Sequence, residues 1–287
     1  MKPGTLTHTI AVCLSSLSAL FAPSAPAQTT PAKMKHSKAQ NRLNEDLLLK
    51  VDPMGYTPPS VEIVPGKSEN ARYPWKQKIV TTVFWIGENP TPNNPVPNHA
   101  SSWDASWARN YGGYDSPNKS QRNNYVPVAF TPRQNPFYCA LPYNDKMREG
   151  HRPEAPKVIP WFKEAYKGPG VSVCKDRWIA IKKGNRTVYA QWEYAGPFRT
   201  DHWEYVFGNE RPKPNLNHGA GLDVSPAVRD YLGLQDTDVT DWKFVDFKDV
   251  PPGPWAKHGD NNTFVQNARK AERDLAQNEK RDAAVFR

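Results

Sequence analysis

The sequence predicts a mainly β fold closed into a compact barrel, and three observations predict it. Proline is too frequent for long helices, at 29 of 287 residues. Runs rich in β-branched and aromatic residues recur between Gly and Pro punctuation. One short, well-punctuated helix stands just before the last of those runs, as in small closed barrels.

In chain order, residues 79–86 come first. They run Ile-Val-Thr-Thr-Val-Phe-Trp-Ile and stop at Gly87, which reads as the first strand. A long Pro/Asn loop over 89–98 leads into an aromatic segment holding Trp103, Trp107, Tyr111 and Tyr114. Further strands are expected over 125–130, 137–141, 171–181 and 187–193. Residues 177–181 and 188–192 flank Lys183-Gly184-Asn185, whose turn chemistry predicts a β-hairpin. Ser225 is a good N-cap, Pro226 fits the first helical position and Gly233 closes the helix. A last strand is expected over 242–247, and residues 256–287 read as a charged, helical C-terminal tail.

The N-terminus bounds the compartment. Lys2, an apolar run over 10–21 and Ala25-Pro26-Ala27 form the three parts of a signal peptide, with cleavage expected near Ala27. That run is about half of the ~20 residues a spanning helix needs, and no other stretch is long enough. The expectation is a secreted or periplasmic monomer without a transmembrane segment. Residues 28–75 read as a Pro/Lys-rich leader arm and 76–255 as the barrel domain. The formal charge is +9, and loss of Lys2 with the signal leaves +8. Such an excess favours anionic partners, and export makes nucleic acid the least suitable of them. In an oxidising compartment, Cys139 and Cys174 are expected to bridge.

Four segments, in order, resemble the double-psi β-barrel proteins, namely the rare lipoprotein A-like proteins, the expansins and the family-45 endoglucanases. Thr82-Val83-Phe84-Trp85 is similar to their opening strand, and Ala140-Leu141-Pro142-Tyr143 to the Leu-Pro turn of the rare lipoprotein A group. The strand from Val188 to Gly196-Pro197-Phe198 resembles that group's strand ending Asp-Arg-Gly-Pro-Phe. Leu222-Asp223-Val224-Ser225, running into Tyr231-Leu232-Gly233, resembles the Asp-Leu-Ser and helix shared across the superfamily. The resemblance covers roughly residues 79–250 and implies a six-stranded double-psi barrel acting on wall polysaccharide, peptidoglycan or a cellulose-like glycan.

Cleaving a glycosidic bond needs a carboxylic acid, and hydrolysis adds a second carboxylate. Asp223 matches the superfamily acid. Glu193 stands beside the Gly-Pro-Phe, but the family's Asp falls on Tyr194, and the family's His before Leu-Pro is Tyr138 here. Asp104 or Glu88, after the first strand, would then assist Asp223. Trp85, Trp103, Trp107, Trp192 and Tyr114 are candidate sugar platforms, with His218 lining the same groove. No His pair has zinc spacing, and neither a serine-hydrolase elbow nor a phosphate-cradling glycine loop is present, so no metal or cofactor is expected. Two functions stay open: a glycan-cleaving enzyme, and a non-catalytic, expansin-like binding module on the same barrel.

Overall fold

The computed structural model describes residues 72–285, Asn93 excepted, so the expected signal peptide and nearly all of the expected leader arm lie outside the described residues. Six strands form the central sheet. They are β1 (Lys76–Val83), β2 (Tyr138–Leu141), β3 (Arg177–Lys183), β4 (Arg186–Ala195), β5 (Leu222–Val224) and β6 (Thr237–Phe244). The sheet closes on itself in the order β1-β6-β3-β4-β2-β5. β5 pairs parallel with β1 and β2 parallel with β4, while the other four contacts are antiparallel. A closed, mixed barrel is the observed architecture.

The local chemistry explains where each strand begins and ends. β3 and β4 keep an unbroken register from Arg177↔Trp192 to Lys183↔Arg186, and Gly184 turns between them with φ of 57°. The first strand starts earlier than its apolar run and leaves the ladder at Val83. Phe84 and Ile86 continue beyond it to pack against Trp107, Tyr111, Tyr138 and Ala140, a second hydrophobic cluster beside the main core. The strand expected over 125–130 shrinks to Val126–Pro127 paired with Arg122–Asn123, because Asn124 and Tyr125 take positive φ and turn the chain. Asp176, with φ of 66°, likewise delays β3 to Arg177.

The helices include α1 (Trp107–Tyr111), α2 (Pro226–Leu232) and α3 (Thr263–Val285). Ser225 caps α2 by accepting the Val228 N–H at 3.3 Å, with Pro226 in the first turn and Gly233 in the left-handed closing position. Among the described residues no helix is long and apolar enough to cross a membrane.

The expected disulfide is corrected: Cys139 and Cys174 are free, fully buried thiols. They occupy different surroundings. Burial and the charges of Glu193 and Asp223 act on Cys139, whereas burial and Asp145 act on Cys174, and both are pushed well above the ordinary thiol range. Suppressed thiolates make both thiols unreactive core residues.

Candidate functional site

One row of residues crosses three neighbouring strand contacts. Thr82 of β1 pairs with Asp223 of β5, Asp223 with Ala140 of β2, and Ala140 with Tyr194 of β4. Partners in register project to the same side of a sheet, so Asp223 stands between the Thr82 hydroxyl and the small Ala140, with the Tyr194 ring beyond. The Thr82 hydroxyl donates a hydrogen bond to Asp223 Oδ1. Tyr194 is stacked on Trp107, with ring centroids 5.8 Å apart and planes at 10°, and meets Phe84 at 5.9 Å.

Glu88 follows the tail of β1, close enough for the charge of Asp223 to act on it. Phe84 N–H donates to the Val224 carbonyl at 3.1 Å, which keeps that tail on β5. Two residues before Glu88, Ile86 is tied to the barrel. Its N–H donates to Tyr138 Oη (3.1 Å), the same hydroxyl donates to Asp115 Oδ2 (3.0 Å), and Asp115 N–H returns to the Ile86 carbonyl (2.9 Å). Asp115 is buried and paired with the buried Arg122. Gly87, at φ of 90°, has the Tyr114 ring 2.5 Å from where a Cβ would sit, so the chain turns there only as glycine. Asn98 and Asn94 then donate to Glu88 Oε2 at 2.8 and 3.2 Å.

The electrostatics follow from that enclosure. Burial raises Asp223 to about 6, against the opposing Thr82 hydrogen bond. Burial, and next the charge of Asp223, raise Glu88 to about 7, while the Asn98 and Asn94 amides pull the other way. Burial and the Asp223 and Glu88 charges also raise Tyr194, keeping its hydroxyl protonated. No cation among the described residues contributes to either carboxyl. The charge of Asp223 acts on Glu88, so the two titrate as a coupled pair with Glu88 raised the further.

The other two carboxylate candidates go elsewhere. β2 and β4 slip register so that Cys139 faces Trp192 and Ala140 faces Tyr194, which makes Glu193 the extra residue of a bulge. The bulge directs Glu193 to Asn261 Nδ2, 2.9 Å away, and to Lys175 Nζ at 3.8 Å. Asp104 binds its own loop: Asn110 Nδ2 and Ser106 N–H donate to it at 2.9 Å, and Gln134 Nε2 at 3.2 Å. Burial pushes its carboxyl up, but those hydrogen bonds outweigh burial and hold it below the ordinary value.

The aromatic candidates divide the same way. Trp107 and Trp192 are 1% and 0% exposed, so neither offers a face to a sugar, which corrects the expectation of open platforms at those positions. Each fills a core: Trp107 the cluster over β1 and β2, Trp192 the main one. Trp85 and Trp103 are half-buried. Tyr114 is 60% exposed and lines a cavity of about 570 Å³ with His99, Arg109 and Arg133. His218 is exposed in the turn before β5, at φ of 57°. Neither this cavity nor a larger one lined by Trp103 and Asp104 includes Asp223 or Glu88.

Sequence reasoning missed Thr82, Asn94 and Asn98 as partners of the site. The asparagine-rich loop following Glu88 was the available signal, since amide donors in a short loop are suited to hold a buried carboxyl. No family model matches the chain, and no curated protein matches it.

Proposed function

We propose that this protein is an exported, polysaccharide-acting member of the double-psi barrel type, cleaving glycosidic bonds of a wall glycan with the Asp223–Glu88 pair. The observation that carries the reading is the pair itself, Asp223 held by Thr82 and Glu88 by Asn94 and Asn98, both raised by burial with no cation among the described residues contributing to either. A pair holding one proton supplies an acid for the leaving oxygen and a base for the attacking hydroxyl or water in the same site. Glu88, the member with the higher value, holds the proton and is the general acid, and Asp223, whose carboxylate accepts from Thr82 on the barrel strands, is its partner, which reverses the roles expected from the sequence. Tyr194 borders the pair with a protonated hydroxyl. The closed mixed barrel, with β5 and β2 each in one parallel contact, is compatible with the double-psi connection. The signal-like N-terminus supports release outside the cytoplasm near Ala27.

A second reading, a non-catalytic wall-binding module, is favoured by one observation: both cavities lie off the carboxyl pair. One experiment separates the two. The mature protein, beside Asp223→Asn and Glu88→Gln, is incubated with peptidoglycan and separately with cellulose, and soluble fragments are read by mass spectrometry. Fragments from the wild type alone establish cleavage, and anhydro ends identify a transglycosylase. Sedimentation with one polymer but no fragments from any of the three proteins removes the enzyme and leaves the binding module.

A further inference from the structure

The larger cavity, about 1130 Å³, lies between the loop that carries Trp103 and the segment leading into β3. It exceeds the ~300–1,000 Å³ typical of a small-molecule site. Five basic side chains line it: Lys146, Arg148, Lys167, Lys175 and Arg177. Against them stand two acids, Asp104 and Asp176. Asp104 is already saturated by amide and backbone donors, and Asp176 Oδ1 accepts from Asn261 at 3.3 Å. The local balance is therefore positive, matching the excess positive charge of the whole chain.

The cations differ in how far they are committed to the fold. Lys146 donates to the Pro169 carbonyl, and Arg177 lies 4.0 Å over the Trp161 ring. Lys175 stands 3.8 Å from both Glu193 and Asp176. Burial would lower Lys175, but the charges of Glu193, Asp176 and Asp104 outweigh it and keep the ammonium charged. Arg148 and Lys167 are exposed and ion-paired to no described residue. These two are free to meet a ligand.

An apolar surface stands among these charges. Trp103 is held edge-on to Trp192, with centroids 5.6 Å apart at 76°. Its indole N–H donates to Asn144 Oδ1 at 2.8 Å, and Asn144 lines the cavity as well. A fixed indole with a free portion of its surface meets the C–H side of a sugar ring, while surrounding cations meet carboxylate or phosphate groups.

We propose that this cleft binds an anionic sugar chain, one bearing carboxylate or phosphate groups, at a site separate from the Asp223–Glu88 pair. Arg148 and Lys167 contact the anions, Lys175 and Arg177 contribute fixed positive charge, and Trp103 supplies the sugar platform. The site requires no bond cleavage and holds whether or not the carboxyl pair is catalytic.

The test uses the whole mature chain and calorimetric titration. Polygalacturonate presents carboxylates and dextran phosphate presents phosphates, with neutral dextran and an oligothymidylate as controls. Saturable binding of at least one anionic polysaccharide is expected, and whichever binds more tightly identifies the preferred anion. Arg148→Gln with Lys167→Gln, both exposed positions, weakens that binding by ~10-fold or more, and added salt weakens it further. Trp103→Ala weakens polysaccharide binding, with an unchanged circular-dichroism spectrum confirming the fold. Asp223→Asn leaves binding unchanged, so loss of glycan cleavage and loss of this site are read separately. The proposal is overturned if neither anionic polymer binds or if the double variant binds as tightly as the wild type. It is also overturned if oligothymidylate or neutral dextran binds equally well, or if Asp223→Asn abolishes binding.

Discussion

Asp223 and Glu193 are both enclosed acids on strands of one barrel, and their surroundings make them chemically different. Burial raises both. Glu193 also has a neighbouring carboxyl, Asp176, but beside it stand a cation, Lys175 at 3.8 Å, and an amide from Asn261 at 2.9 Å. Asp223 has a hydroxyl, a neighbouring carboxyl and no contributing cation. A cation and an amide donor tie a buried acid into the fold even beside a second carboxyl, whereas two carboxyls without a cation leave a proton exchangeable between them. Burial alone therefore does not mark a functional acid, and the identity of its neighbour does.

The largest effect expected from this contrast is on activity. If the carboxyl pair cleaves glycan, Asp223→Asn and Glu88→Gln each lower fragment release by about 10²-fold or more, the usual contribution of general acid–base catalysis. Glu193→Gln lowers it little. Equal losses at all three positions, measured by fragment yield over time, would erase the distinction.

Stability gives the next test. Lys175→Met leaves Glu193 buried opposite Asp176 without its cation. The expected cost is about 1–3 kcal/mol in chemical denaturation, below that of a fully buried pair because Lys175 is partly exposed. Lys175→Met combined with Glu193→Gln recovers most of that loss, since the buried acid left beside Asp176 is gone. Failure of the double variant to recover would show that Lys175 acts through packing instead.

The pH dependence carries a definite sign. Asp223 and Glu88 hold pKa values of about 6 and about 7, above their unfolded values, so the folded protein binds these protons more tightly. Their stabilisation is complete below about pH 4 and is lost as pH rises through 6 and 7. The swing is on the order of 3 kcal/mol per group. Thermal unfolding at pH 4.5 and pH 8 reads it, and Asp223→Asn with Glu88→Gln flattens the difference. An unchanged difference in that double variant would assign the pH response to other groups, Glu193 foremost.

The smallest effect concerns the support behind Asp223. Ser225→Ala removes the α2 cap immediately after β5 and costs about 1 kcal/mol, measured by denaturant midpoint. It leaves the Glu193–Lys175 contact untouched, so the two regions separate again.

Particular residues show how much was legible beforehand. The β3–β4 hairpin and α2 were readable because Gly184, Ser225, Pro226 and Gly233 act within a few residues of themselves. Asp223 was readable as a candidate because Leu222-Asp223-Val224-Ser225 couples a strand to a capped helix. Trp107 and Trp192 were not separable from Trp103, because an indole that fills a core and one that lines a cleft have the same local sequence signature. The cysteines misled in a similar way, since compartment chemistry says whether a bridge survives and not whether two thiols meet.

Composition and chain neighbours were enough for the mainly β character, the turn and cap positions and the excess of positive charge. Which acid faces which neighbour came from strand pairing. Glu88 and Asp223 are 135 residues apart and come together because β5 closes the barrel parallel to β1. Glu193 is turned away from them by one extra residue in β4. Side-chain direction in a sheet alternates residue by residue, so a single bulge re-aims a carboxylate in a way that only pairing across strands reveals.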